Sequence, residues 1–490
     1  MDSMVTSAGG TFTTSMVKAD QRFDIKSLKP NTCYMVSLAL YCGLSSQLLA
    51  PALASTGAVW EALQYQVDAP QFFQNNKILD PKTCTSSSSV IGIAIGSIIE
   101  GVLVGKGRRI NIMIFNIVAI LGSAMSTISN FWVLLAGRFI FGFSSGVLLC
   151  ATPKIIEETI PAHLQDYGFA TSTNMIINCS IAVSMIMGIG MPSDEDDLKT
   201  TNYWKIMYLF PVPFCLITLF LSAFIFRHDS VNFHVERGQK PQAMAMLRKL
   251  YPDQEDSTIE KVLVELQTQL TTPSDSESPG MAQALCDKEY RVATWVVLFI
   301  ALANQMSGIN ILNIYAETIF IDVKNQGGAA SFSPKGCTYF TGMSGFIGAF
   351  LANFTVYFLS RRQVFLIGHA CMGVFLLGVA VFIVEAEGNL VLLSMCFFVI
   401  SLQSSNGSAF WVYAAEVCCD AAMGVCLFVL WGILVVQSLL AETLIDLLSI
   451  QGLFYGLAGF QVVTCLVLFC VMKESKGLSA EEKKKLYKRT

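Results

Sequence analysis

Asn304-Gln305-Met306-Ser307-Gly308-Ile309-Asn310, followed by Tyr315 and Ile319-Phe320, lies inside an apolar run from about Ala293 to Ile321. At 1.5 Å of rise per residue, that run is long enough to cross a ~30 Å hydrocarbon layer. A polar patch around a glycine at mid-membrane is therefore the feature that the rest of the chain must accommodate. Amides do not ionise and leave water only at a cost, so at such depth they should face a wet cavity or a partner helix. Gln305 and Asn310 offer donors and acceptors on either side of a Ser-Gly pair that lets the helix bend. The combination suits a neutral, hydroxyl-rich ligand, or a hydrogen bond between helices.

The surrounding chain is built for a membrane. Its 490 residues are 53% hydrophobic and 14% charged, with a mean hydropathy of +0.55, which excludes an ordinary soluble globule. A net charge of −4 provides no basic patch, so no nucleic-acid partner is expected. Most of the fifteen cysteines, among them Cys150, Cys215, Cys371, Cys396, Cys426 and Cys470, sit in apolar runs where a thiol acts as a small hydrophobe. Cys84 and Cys337 fall in the two largest outer connections and read as two unpaired thiols or a bridge. Neither the cysteines nor the four histidines have metal or triad spacing, so no metal, cofactor or enzymatic centre is expected.

Apolar runs occur near 33–53, 88–104, 111–129, 131–152, 169–190, 204–226, 293–321, 339–359, 364–384, 389–413, 422–441 and 452–472. Lys106, Arg108, Arg109, the 227–291 connection, Arg361, Arg362 and the Lys-rich tail from Lys473 all fall on one face. By the positive-inside rule both termini are then cytoplasmic, or on the equivalent side of an organelle. The divisions are a polar tail at 1–30, a six-helix half at 31–226, a linker at 227–291, a second half at 292–472 and a tail at 473–490. Within the linker, Gln242 to Leu250 and Ser257 to Leu270 read as short amphipathic helices, the second opening on a Ser257/Glu260 capping box. Asn178, Asn353 and Asn406 begin glycosylation sequons inside spans, where no sugar can be attached.

The 304–320 stretch resembles the QQxSGIN…YY…IF signature on the seventh helix of the sugar porters, the glucose-transporter-like family of the major facilitator superfamily. Other motifs follow in order: Gly107-Arg108-Arg109 after the second run; Gly137-Arg138, Gly142, Gly146, Pro153, Glu158 and Pro161 in the fourth; Glu236-Arg237-Gly238 after the sixth. Arg361-Arg362, Trp411 with Glu416, and Lys473-Glu474-Ser475-Lys476-Gly477 complete the series. His228-Asp229-Ser230-Val231-Asn232 stands where the family has PESPR. Charged positions of the family are here Val104, Gln165, Asn232, Tyr357 and Met423.

The resemblance implies an all-α membrane protein with the major facilitator fold: twelve transmembrane helices in two six-helix halves with short intracellular helices between them. It implies an inter-half salt-bridge network at the cytoplasmic helix ends, kept here by Arg108, Arg109, Arg138, Glu158, Arg361, Arg362, Glu416 and Glu474, and thinned by the losses above. It places Gln305, Asn310, Asn304, Trp411, Gln403 and Asn174 against the solute, while Gly345, Leu434 and Ser438 stand at or near amide positions they cannot fill. The tenth helix has Asn406-Gly407-Ser408-Ala409-Phe410-Trp411 in place of the proline-rich hinge, so a straighter segment is expected. Glu100 and Glu317 are the ionisable residues that stand out inside spans, Glu100 reading as a structural group paired with a neighbouring helix. No acid occurs from Cys33 to Ala54, where the proton-coupled members of the family it resembles carry an aspartate, so the resemblance implies uniport over proton symport.

The function so implied is facilitative movement of a monosaccharide or similar polyol by alternating access, with a hexose-like solute and the lipid bilayer as partners and a watery chamber between the halves. The alternative is a transport-inactive subunit of a larger membrane complex, favoured by the missing prolines and charges; a third is a sugar sensor that no longer cycles.

Overall fold

A computed structural model describes residues 28–48, 56–74, 79–103, 107–161, 164, 168–169, 171–192, 194–270, 280–328, 331–478 and 480–488. Val104, Gln165 and the side chains of Tyr315, Glu317 and Ser438 lie outside the described residues.

Among the described residues nine helices are long and apolar enough to cross a membrane: Pro81–Gly101, Arg108–Met125, Phe131–Thr159, Ser172–Ile189, Tyr203–Phe224, Arg291–Leu312, Arg361–Val384, Gly388–Val417 and Leu447–Val471. Thr32–Ser46, Pro334–Phe358 and the first part of Asp420–Val471 bring the set to twelve spans, numbered here in chain order. The chain is thus an integral, multi-pass membrane protein with the major facilitator architecture. Polar caps start several spans. Asn31 Oδ1 accepts from Tyr34 N, Asn130 Oδ1 from Trp132 N and Val133 N, and Ser360 forms a reciprocal box with Gln363.

Close packing within the first half rests on glycine. A Cβ on Gly92 or Gly96 of span 2 would meet the carbonyls of Phe139 or Phe143 at 2.3 and 2.1 Å. One on Gly142 or Gly146 of span 4 would meet those of Ser89 or Ile93 at 2.0 and 2.2 Å. Because each clash is with backbone, no rotamer change relieves it, and the two helices can approach this closely only with glycine at these places.

The linker carries helices Val231–Glu236, Lys240–Leu250, Asp256–Leu270 and Met281–Cys286. The third begins before Ser257, its first turn hydrogen-bonded to the Glu255 carbonyl, so Ser257 is not the cap that its spacing suggests. Ala243, Met246, Leu247 and Leu250 of one helix and Ile259, Val262 and Leu263 of the next join a single apolar core. That core also includes Ile155 and Ile156 of the first half and Phe365, Tyr413 and Met423 of the second. Toward the opposite end the buried apolar residues divide into two separate clusters. One, around Val59, Leu63 and Trp204, belongs to the first half; the other, around Ile319, Phe320, Ile383 and Phe454, belongs to the second. The halves are therefore sealed together on the linker side.

Two spans are interrupted. Span 7 runs as Arg291–Gln305 and Ile309–Asn325, with Gly308 left-handed at φ 96° between them. Span 10 runs as Gly388–Ser404 and Asn406–Val417 about Ser405 (φ −123°, ψ −96°). The expectation of a straight tenth span fails. Serine hydroxyls do what proline was expected to do: Ser405 Oγ donates to Ser401 O (2.5 Å), Ser408 Oγ to Gln403 O (2.9 Å), and Thr355 Oγ1 to Ser404 O. These bonds satisfy carbonyls that a continuous ladder would otherwise hold. Gly368 of span 9 makes room, since a Cβ there would lie 2.1 Å from Ser405 Oγ.

Candidate functional site

Breaking a helix inside a membrane frees backbone carbonyls that have no water to turn to. At the span 7 break they are met by glutamines. Gln437 of span 11 donates through Nε2 to Gln305 O (3.0 Å), and Gln461 of span 12 donates to Met306 O (3.4 Å). Asn310 Nδ2, on the first turn after the break, donates to Gln305 Oε1 (2.6 Å) and Gln437 Oε1 (3.2 Å). Gln305, Asn310 and Gln437 thus form one amide group, two members of it buried and Asn310 half-buried. Asn304 is half-buried beside it at the end of the first segment. The amide that Leu434 and Ser438 do not supply comes from Gln437, a position that the sequence comparison by register passes over.

A second polar group crosses between the halves. Asn174 Nδ2 donates to Ser408 Oγ (2.6 Å) and Asn178 Nδ2 to Gln403 Oε1 (3.3 Å), each joining span 5 to span 10. Thr171 Oγ1 donates to Asn353 Oδ1 of span 8 (2.6 Å), and Lys154 Nζ to the Ala415 carbonyl (3.2 Å). Asn178 and Ser408 connect Asn174 to Gln403 through hydrogen bonds. Gly345 packs closely against this seam, since a Cβ there would lie 3.3 Å from Asn178 Oδ1, tighter than an ordinary contact. Trp411, a turn beyond Ser408, is buried with its ring 5.3 Å from that of Phe410.

The charged motif residues build the same clip twice. In the first half Arg108 reaches Glu158 Oε1 through Nε (3.0 Å) and Nη2 (2.7 Å), and Ser230 Oγ donates to Glu158 Oε2 (2.5 Å). Asp229 Oδ2 accepts the Arg109 N–H (3.1 Å) at the start of span 3, and the Arg109 guanidinium donates to the Ser222 and Phe226 carbonyls at the end of span 6. In the second half Arg361 Nη2 reaches Glu416 Oε1 (3.2 Å), and Ser475 Oγ donates to Glu416 Oε2 (2.7 Å). Glu474 accepts the Arg361 and Arg362 N–H groups at the start of span 9 (2.9 Å each), and Arg362 donates to the Phe469 carbonyl at the end of span 12. In both clips a carboxylate sits where the helix dipole and unpaired N–H groups favour an anion. Gly107 (φ 98°) lets Asp229 reach that place, since a Cβ would lie 2.5 Å from its Oδ2.

The repeats differ in charge balance. Burial raises the Asp229 carboxyl above its usual range, against the N–H groups of Ser230 and Arg109. Burial also pushes Glu474 up, but the N–H groups of Arg362, Lys476 and Arg361 and the Ser360 hydroxyl outweigh it and hold the carboxyl below its ordinary value. Lys483 adds a second cation to Glu416 (2.7 Å), an addition that ties down the tail together with Tyr487 Oη against Tyr413 Oη (2.6 Å).

The ion pairs Arg108–Glu158, Arg361–Glu416 and Lys483–Glu416 each lie within one half and its tail, Lys488–Glu289 joins the tail to the linker, and the bonds named above between the halves are the neutral rungs and the Lys154–Ala415 contact. One expectation about the network is corrected. Arg138 is not part of any clip. It lies near the start of span 4, roughly 30 Å along the helix from Glu158, with its guanidinium 4.9 Å from the Tyr208 ring centroid and Nη2 3.3 Å from Ser89 Oγ. Glu100 is buried and accepts from Asn111 Nδ2 of span 3 (2.9 Å), the structural pairing expected of it. A cavity of about 230 Å³ lies at the end away from the linker beside Asp322, Gln326 and Ser449, while the amides of Gln305, Asn310 and Gln437 are hydrogen-bonded to one another. Cys84 and Cys337 are separate thiols.

Comparison with known proteins agrees with this architecture. A family model described as sugar (and other) transporter matches residues 56–487. Hexose transporter 1 of Plasmodium knowlesi is 23% identical over 426 residues, covering 81% of this chain and 82% of that one. Myo-inositol transporter 1 of Candida albicans is 24% identical over 447 residues, covering 83% and 76%. Among solved structures, the proton:xylose symporter XylE bound to 6-bromo-6-deoxy-D-glucose superposes with a TM-score of 0.77 at 19% identity, covering 93% of this chain and 100% of that one. The inward-open conformation of the xylose transporter XylE from E. coli gives 0.70 at 20% identity, covering 92% and 99%.

Proposed function

The chain belongs to the sugar (and other) transporter family, and from that premise we propose that it carries a monosaccharide or similar polyol across its membrane by alternating access of two six-span halves. The observation that carries the reading is the set of neutral amides deep in the spans: Gln305, Asn310 and Gln437 at the break of span 7, and Asn174, Asn178 and Gln403 across the seam. Uncharged donors and acceptors on both walls suit a solute that is all hydroxyl and carries no charge. A solute entering from the side away from the linker would exchange amide–amide bonds for amide–hydroxyl bonds, and the rungs at Asn174–Ser408, Asn178–Gln403 and Thr171–Asn353 would part to release it toward the linker.

In this reading residues 31–226 and 292–472 are the moving bodies, 227–291 is a platform beneath them, and each clip stiffens its own half. The Lys/Arg distribution supports a cytoplasmic or equivalent placement for the linker and both termini. The hexose and inositol transporters named above support the solute class. The test is equilibrium binding of labelled D-glucose to the purified protein, with D-xylose and myo-inositol as competitors. Saturable binding that Asn310→Ala and Gln437→Ala weaken at least tenfold is expected; absence of binding by all three solutes would overturn the solute class.

A further inference from the structure

His369 lies at mid-depth of span 9 with none of its surface exposed. Its ring makes no hydrogen bond to the seam or to either clip among the described residues, so the transport cycle described above assigns it nothing. Its Nδ1 is 2.7 Å from Gln461 Oε1 of span 12, and its Nε2 has no hydrogen-bond partner among the described residues. Gln461 Nε2 in turn donates to the Met306 carbonyl, one of those freed by the break in span 7.

The donors and acceptors along this chain fix its direction. A carbonyl can only accept, so Gln461 meets Met306 O with its NH₂ group and is left with Oε1 toward the histidine. Nδ1 must therefore carry the proton, and the buried, unpartnered Nε2 is the bare nitrogen of a neutral ring. The carbonyl before Met306, that of Gln305, is held by Gln437, which also accepts from Asn310. Two adjacent carbonyls of the broken turn are thus held by two glutamines. One of them belongs to the amide group; the other is oriented from behind by His369.

We propose that His369 is a positioning residue: through Gln461 it sets the backbone at Met306 and thereby the spacing of Gln305 and Asn310 across the break. The proposal rests on the amide group being the solute site, but its first readout does not. Without the Nδ1 donor Gln461 keeps only one of the two hydrogen bonds that hold its amide, the Met306 carbonyl's partner is less firmly placed, and the turn between the two helical segments loosens. The loss should be local, because His369 touches neither clip.

Hydrogen exchange of the full-length protein in detergent, read on peptides covering 300–312 with 108–125 as the internal control, tests this. His369→Leu should speed exchange at the break about fivefold, the worth of one net hydrogen bond, and leave the control unchanged. His369→Asn, whose amide NH₂ falls near the place of Nδ1, should restore the native rate, and Gln461→Leu combined with His369→Leu should be no faster than Gln461→Leu alone. Selective ¹⁵N-histidine labelling, with only four histidines to resolve, should show one ring as the neutral, Nδ1-protonated tautomer that vanishes in His369→Asn. In uptake of labelled D-glucose, His369→Leu should raise KM severalfold with less effect on maximal rate, and His369→Asn should restore it. Unchanged exchange in His369→Leu, equal loosening in His369→Asn, additive effects of the two leucines, or an Nε2-protonated ring would each overturn the proposal. A wild-type protein that moves no glucose yet loosens as described would instead overturn the transport reading and leave this one standing. If His369→Leu does not fold, His369→Asn against Gln461→Leu and the tautomer spectrum decide it.

Discussion

Neutralising the two clip glutamates gives unequal losses whose order the geometry fixes. Glu416 has 5% of its side chain exposed and lies between Arg361, 1% exposed, and Lys483, 14% exposed. Glu416→Gln leaves two cations beside a neutral amide in a place that water does not reach, and breaking a buried pair in this way costs about 3–5 kcal/mol. Glu158 is 18% exposed and faces a single cation, Arg108. There Glu158→Gln removes charge-assisted hydrogen bonds worth roughly 1.5–3 kcal/mol, and water can approach what is left. The difference, about 2 kcal/mol, corresponds to a factor of roughly thirty in an unfolding equilibrium. Unfolding in mixed dodecyl maltoside–dodecyl sulfate micelles, followed by tryptophan fluorescence, measures both variants on one scale. Adding Lys483→Met to Glu416→Gln should recover part of the loss by removing one of the stranded charges. An equal or larger loss for Glu158→Gln, or no recovery with Lys483→Met, would refute the reasoning.

Other consequences follow from the same contacts. Gly308→Ala forces φ 96° on a residue with a Cβ that would meet Leu457 Cδ1 at 2.8 Å, so thermal stability should fall by about 1–3 kcal/mol, whereas Gly432→Ala, in open space, should be tolerated. Glu474 is held below its ordinary value, so its contribution to stability is present above the unfolded pKa and fades as pH falls through the folded one. Melting curves below about pH 4.5 should therefore be less acid-sensitive in Glu474→Gln than in the native protein. Asp229 is raised and has the opposite sign, so Asp229→Asn should remove a stability term that declines as pH climbs from the unfolded toward the folded pKa. The seam rungs are neutral, each worth about 0.5–1.5 kcal/mol, so Asn178→Leu should shift the halves toward opening on the linker side by severalfold, read as faster alkylation of a cysteine placed at Ser408.

Sequence alone carried the architecture because hydropathy records burial in lipid directly, and twelve apolar runs divided six and six by one long polar linker admit few folds. The break in span 7 was readable from Ser307-Gly308, since glycine is the residue that a left-handed turn requires. The break in span 10 was not: its motif had lost the prolines, and the serines and Thr355 that replace them act through hydrogen bonds to carbonyls, which no spacing rule records. The doubled clip was half visible. Arg108-Arg109 and Arg361-Arg362 repeat, and so does an acid followed by serine at Asp229-Ser230 and Glu474-Ser475, but the two stretches look unlike because the flanking proline and arginine are gone. Arg138 was misplaced by motif membership, which says nothing about which end of a helix a residue occupies. Gln437 and Gln461 escaped notice because a lone glutamine in an apolar run reads as helix–helix glue until the carbonyl that it serves is located.

The central claim is movement of a neutral, hydroxyl-rich solute by two halves that open in turn. Counterflow measures it most directly: proteoliposomes holding the purified chain are preloaded with unlabelled D-glucose and diluted into a trace of labelled sugar. An alternating carrier should show a transient overshoot of label that saturates with outer sugar and is abolished by Asn310→Ala. Label that enters linearly without saturation, shows no overshoot with preloaded sugar, or enters equally well through Asn310→Ala would contradict it.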